Sequence, residues 1–216
     1  MPAQSSSSSS AKHVKPPAAS SDSTLDSGTI TNGVYRNKTL GFSCKIPDAW
    51  VLRTDELNGR EESQKNETEK PESERPEKDT PPQPSAASST GARVLLAAFS
   101  RPPEAKGEEV NSSILIAAES VSSYPGLKEA VQYFGPLTEV AKAQGFTLDE
   151  EPYEIAVETK TLVRADFHKD VGTRVMRQST LAMLSHGYAI SITVIAGTED
   201  DVEELIDGLS FTSTGK

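Results

Sequence analysis

The run RVMRQSTLAMLSHGYAISITVIA, residues 174–196, decides the fold. It holds two strand-like stretches, Arg174–Ser185 and Tyr188–Ala196, parted only by His186-Gly187. Two residues ending in Gly between such stretches read as a tight β-hairpin, because the favoured two-residue turns need positive φ. Working backwards, Thr161–His168 and Tyr153–Val157 are two more strand runs, and Val171-Gly172 marks the turn before Arg174. Consecutive strands on short turns pair antiparallel.

Working forwards, Thr198-Glu199-Asp200-Asp201 is a helix start, with a hydroxyl cap and acids in the first turn. Val202, Leu205, Ile206 and Leu209 give its apolar stripe, Gly208 ends it, and Ser210-Phe211 closes the domain. The cluster Asp200, Asp201, Glu203 and Glu204 reads as the solvated face of that helix. Upstream, residues 126–144 read as a second helix, with Leu127, Ala130, Val131, Phe134, Leu137 or Thr138, and Ala141 at a 3.6 period. Gly135-Pro136 should kink or break it, and Gly145 suits its C-cap.

Val94–Ser100 and Ser113–Val121 are apolar runs without clean alternation, as in central strands covered on both faces. Residues 34–46 read as two short strands around a turn, with Phe42, Cys44 and Ile46 on one face. Pro47 ends the second strand, and Pro47-Asp48-Ala49 turns the chain toward Trp50 and Val51. The order β, β, long loop, β, β, α, β, β, β, β, α predicts an α+β chain. Its expected form is an α/β/α sandwich, with a mostly antiparallel central sheet and two main helices.

The chain has 216 residues, a formal charge of −10 and 35% apolar residues. The apolar deficit is local. Residues 1–28 read as a disordered Ser/Pro/Ala tail. Residues 29–216 read as a single domain interrupted by a disordered acidic loop at 55–92. Within that loop, residues 60–79 hold 8 acidic and 5 basic residues and no aliphatic one.

No apolar run reaches 18 residues, so no integral membrane helix is expected. The acidic balance argues against nucleic acid as a partner. A single cysteine, Cys44, excludes an internal disulfide, and its strand parity points it inward as an inert thiol. His13, His168 and His186 form no i, i+4 pair. There is no phosphate-binding Gly-rich loop and no nucleophile elbow. The expectation is no enzyme, no catalytic residue, no cofactor and no metal. The tripeptides beginning at Asn37, Asn66 and Asn111 match the glycosylation pattern, as a Ser/Thr-rich chain does by chance.

Charge is uneven. Residues 29–54 carry a net +3 and residues 93–216 a net −8. Lys45, Arg164, Arg174 and Arg177 are the candidate partner-binding residues, as a basic stripe for an acidic surface. Cross-strand ion pairs explain them equally well.

Tyr35-Arg36-Asn37, Leu40-Gly41-Phe42-Ser43 and Pro47-Asp48-Ala49-Trp50 resemble the opening of PsbP-like proteins. The strand Tyr188–Thr193 and the acidic helix before Leu209-Ser210-Phe211 resemble that family's close. The resemblance covers residues 34–54 and 93–212, and the insertion at 55–92 departs from it. The family takes in photosystem extrinsic subunits, a small Ran-GTPase-binding protein and bacterial exported proteins of unknown role. It implies a PsbP-like sandwich acting as an accessory or binding module that docks on a larger protein. It also implies an exported or periplasmic location. Met1-Pro2-Ala3-Gln4 and the serines after it do not read as a signal peptide, which keeps a cytoplasmic location as the alternative. The alternative function is a small-ligand or ion carrier, which needs a cavity with a few convergent polar groups between sheet and helices. A cleft gathering His168 with an acid and a hydroxyl would point to hydrolysis instead.

Overall fold

The computed structural model describes residues 25–59, 92–107 and 109–212. The expected tail and acidic loop fall largely outside these residues. Strands β1 (Thr29–Thr31), β2 (Val34–Asn37), β3 (Phe42–Lys45) and β4 (Val51–Leu52) precede a helix, α1, described over 54–59. Then come β5 (Arg93–Phe99), β6 (Ser113–Ser120) and a 3-10 turn at Ala130–Tyr133 that runs into α2 (Phe134–Ala143). Strands β7 (Thr147–Leu148), β8 (Tyr153–Val157), β9 (Lys160–Val171), β10 (Arg174–Ser185) and β11 (Tyr188–Ala196) follow. Helix α3 (Glu199–Asp207) and β12 (Leu209–Phe211) complete the order.

Every strand pairing among the described residues is antiparallel, and the architecture is α+β. Two sheets form where one was expected. The main sheet runs β4-β5-β6-β11-β10-β9-β7, with β8 on the same edge of β9 as β7. The small sheet runs β1-β2-β3-β12. The β10–β11 hairpin sets the centre. His186 and Gly187 take φ of 52° and 81°, the doubly left-handed turn that matches strand twist, and Ser185 stands opposite Tyr188.

Strand alternation splits the main sheet into two unlike faces. On one face Leu96, Ile114, Ile116, Leu181, Ile190 and Ile192 meet Val202 and Leu205 of α3 and Tyr35, Phe42 and Cys44 of the small sheet. Cys44 is fully buried, and burial pushes its thiol up to about 12. On the other face Ala165, Phe167, Ala182 and Ile195 meet Tyr133, Phe134 and Phe146.

The helix read over 126–144 forms only from 134, after the 3-10 turn. Pro136 does not break it. It sits in the first turn, where a backbone N–H has no helical partner to lose. Gly145, at φ +85°, follows the helix end.

Two expected loop boundaries are ordered. Leu25 is buried. The Tyr35 hydroxyl donates to Ser27 O (3.0 Å), Asn37 Nδ2 to Asp26 O (2.7 Å), and Arg93 Nη1 to Leu25 O (3.0 Å). Residues 25–28 therefore strap the small sheet to β5. Gly28 is required there: its φ is +76°, and a Cβ would lie 2.6 Å from the Tyr35 ring. Residues 55–59, expected as loop, are helical because β5 needs a cover. Beyond β4, Thr54 Oγ1 accepts from Ala97 N (3.0 Å). Asn58 both donates to Val94 O and accepts from Val94 N, each at 3.0 Å. Side chains thus complete the edge of β5 where no strand lies.

Candidate functional site

The turn after β3 and the outer flank of α3 enclose a cleft of about 620 Å³. Pro47 stops the β3 ladder, and the turn residue Ala49 takes φ 66°. Trp50 then emerges half-buried against the apolar seam. Across the cleft, α3 is fixed by its cap, Thr198 Oγ1 accepting from Asp201 N (3.1 Å). Val202, Leu205 and Ile206 bury its inner stripe. Its end abuts the small sheet, where Lys45 N donates to Gly208 O (2.8 Å).

The cleft walls carry Asp48, Asp201, Glu204 and Asp207 against the single cation Lys45. Among the described residues, none of these carboxylates stands in an ion pair. Asp207 occupies the last turn of α3, which holds no basic residue. The helix dipole disfavours an anion at that end, so its placement costs stability.

On the other flank of α3, Glu199 and Glu203 meet arginines, while Asp200 stands in no ion pair among the described residues. Arg164, with 13% of its side chain exposed, lies between Asp166 (Nε–Oδ1 2.9 Å) and Glu203 (Nη2–Oε1 2.6 Å). Burial works against its charge, and the hydrogen bonds to Glu203 and Asp166 outweigh burial and raise its pKa. Tyr153 Oη donates to Asp166 Oδ2 at 2.6 Å. Burial, then that bond, pushes the phenol up to about 12. Arg177 pairs with Glu199 at 3.1 Å.

The four basic candidates do not form one stripe. Arg164 and Arg177 are held by acids at one end of the main sheet. Arg174 stands opposite Val171 at the hairpin end, three positions from Arg177 and so on the other face. Lys45 lies in the Trp50 cleft on the small sheet. His168 meets Asp149 through Nδ1, and its ring has no hydroxyl partner among the described residues. His186 Nδ1 meets Ser185 Oγ at 2.8 Å, and His13 lies outside the described residues. Asn37 is buried with its amide bonded to Asp26 O, and Asn66 lies outside the described residues.

A feature that sequence reasoning missed lies on the α2 side of the main sheet. Ser113 and Glu119 of β6, Gln178 and Thr180 of β10, and Ser191 and Thr193 of β11 line a groove of about 60 Å³. Phe99, Leu115, Leu137 and Val140 form apolar walls. Gln178 Nε2 donates to Thr180 Oγ1 (3.3 Å), and Thr180 Oγ1 meets Thr193 Oγ1 (3.1 Å). Glu119 accepts from the Tyr124 hydroxyl. Burial, then the negative charge of Glu119, pushes the Tyr133 hydroxyl well above the usual phenol range. The available signal was the alternation Ile190-Ser191-Ile192-Thr193-Val194, polar on one face within an apolar strand.

No protein-family model matches the chain, and no curated protein matches it. Solved structures that match the chain include three with TM-scores below 0.5. PA94 of Pseudomonas aeruginosa, a protein of unknown function, is 17% identical over 51% of this chain and 80% of its own, with a TM-score of 0.36. A Bacteroides thetaiotaomicron protein is 10% identical over 82% of this chain, with a TM-score of 0.37, and the alignment spans 47% of its length. LpqN of Mycobacterium tuberculosis, involved in cell envelope biogenesis, is 11% identical over 80% of this chain and 83% of its own, with a TM-score of 0.34. No helix among the described residues is long and apolar enough to cross a membrane.

Proposed function

We propose that the chain is a non-enzymatic accessory module, an α/β/α sandwich of the PsbP-like kind. In this reading it is exported and docks on a larger protein. The Trp50 cleft receives a Lys- or Arg-rich segment of that partner. The carrying observation is the split of α3: Glu199 and Glu203 on one flank are paired with arginines, while Asp201, Glu204 and Asp207 face a half-buried tryptophan without ion pairs among the described residues. A carboxylate kept at the dipole-disfavoured end of a helix breaks a local stability rule, which is the pattern of a site serving a partner. A cation entering there gains charge pairs worth about 0.2–1 kcal/mol each. It gains about 0.5–2 kcal/mol more over an indole face. The resemblance of residues 34–50 and the closing strand supports the fold and the export.

Trp50 is the chain's one tryptophan, so its emission reports on the cleft directly. The full chain is titrated with oligolysine and, separately, with oligoglutamate. The expected result is a saturable emission change with oligolysine only, weakening as salt rises. The variant combining Asp201→Asn, Glu204→Gln and Asp207→Asn should lose it. An unchanged spectrum, or an equal response from the triple variant, overturns the docking site.

A further inference from the structure

We propose that the groove between α2 and the main sheet is a second site, a seat for the ammonium head of a small alkyl amine. The inference stands apart from the Trp50 cleft, which lies on the opposite side of the sheet.

The floor of the groove is made by the centre of the main sheet, where aliphatic packing is the default. Instead, Ser113, Glu119, Gln178, Thr180 and Ser191 point polar side chains there while being more than nine-tenths buried. Thr180 is bonded to Gln178 and Thr193, and Glu119 to Tyr124, so these groups are held in place within the protein, and a hydroxyl or carboxylate oxygen that makes one such bond has a second lone pair to offer a donor entering the cavity. Strand register brings them together. Thr180 stands opposite Thr193, and Ser191 opposite Ala117, so the acceptors share one face across β6, β11 and β10.

Charge selects the ligand. Glu119 is the only ionisable side chain among the groove's lining residues, so the groove carries negative charge and disfavours an anion. Size selects the group. A volume of about 60 Å³ is well below the ~150 Å³ of a cavity that takes benzene, so a head group enters and a ring does not. The walls select the rest. Leu137 and Val140 of α2 line the groove with Phe99 and Leu115 of the sheet and offer apolar contact to a methylene chain. A primary alkylammonium has this form: three donors on a compact cation and an apolar stem.

The probe is butylammonium, with butanol and butyrate as the uncharged and anionic controls, titrated into the full chain and followed by backbone amide NMR. Butylammonium should give saturable shifts at Ser191, Thr193 and Gln178 in the millimolar range, and neither control should. Glu119→Gln should weaken binding about tenfold or more, as expected when a hydrogen bond to a charged group becomes neutral. Thr193→Val, nearly equal in volume, should weaken it less and keep the fold if Glu119→Gln does not. The site is overturned by an absence of saturable shifts. It is also overturned by equal shifts from butanol or butyrate, or by unaltered affinity in a folded Glu119→Gln or Thr193→Val variant. Shifts confined to Trp50, Lys45 and Glu204 would place the amine in the other cleft and overturn the groove while leaving the docking site standing.

Discussion

The two flanks of α3 use the same residue type to opposite ends. On one, Glu199 and Glu203 reach Arg177 and Arg164, and Asp166 and Tyr153 extend the chain of bonds along β9 and β8. On the other, Asp201, Glu204 and Asp207 look across a cleft at Trp50 and one lysine. The helix stripe of Val202, Leu205 and Ile206 is the divide. Charge composition alone cannot separate the flanks. Only the strands beneath them can, because β9 and β10 supply arginines and the turn after β3 supplies an aromatic.

The comparison can be broken most strongly on the arginine-paired flank. Arg164→Met keeps the stem but leaves Asp166 and Glu203 without their cation. Hydrogen bonds to charged groups of this kind are worth about 1.5–3 kcal/mol, so a loss of that size is expected in urea denaturation. A loss under ~0.5 kcal/mol would make this flank as solvated as the other. The opposite flank should move the other way. Asp207→Asn removes an anion from the C-terminal turn and should raise stability by about 0.3–1 kcal/mol at low ionic strength, the gain fading with added salt. The same change should weaken the oligolysine response. A destabilised Asp207→Asn would show that this carboxylate holds the fold.

A further effect, confined to alkaline solution, is a pH dependence. Burial and Asp166 raise the Tyr153 phenol from 10.0 to about 12. The unfolded phenol ionises first, so between these values the unfolded state binds fewer protons and stability falls as pH rises. The contribution is complete below pH 10 and is lost through about 12. Cys44 and Tyr35 titrate in the same alkaline range, each pushed up to about 12 by burial. The informative quantity is therefore the difference between the parent and Tyr153→Phe, whose curve should be flatter. Identical slopes would remove Tyr153 from the network.

What the sequence made legible was local. The β10–β11 hairpin, the Thr198 cap and the stripe of α3 depend on residues within a few positions of one another. Strands of two or three residues, β1, β4, β7 and β12, carry no periodicity of their own and exist because a distant partner offers a ladder. Helix α1 was hidden for the same reason: Thr54 and Asn58 are polar in sequence, and only β5 makes them edge caps. The basic stripe failed on parity, since Arg174 and Arg177 differ by an odd number of strand positions. The groove needed register across three strands, so Glu119, Gln178 and Ser191 were visible singly and not as a set.

The pairing of β12 with β3 has a consequence for biosynthesis. Leu209 stands opposite Cys44, and Phe211 opposite Phe42, across most of the chain. The Glu158 carboxylate, at the β8–β9 turn, accepts from Phe211 N (2.6 Å) and Ser210 Oγ (2.9 Å), tying the late strand to the main sheet as well. During translation the β2–β3 hairpin emerges early with Phe42 and Cys44 uncovered, and waits for residue 211 before its seam can close. Contacts of such sequence separation slow folding and leave apolar strands exposed in the interval. The seam around Phe42 and Cys44 therefore stays open until residues 209–211 have been synthesised.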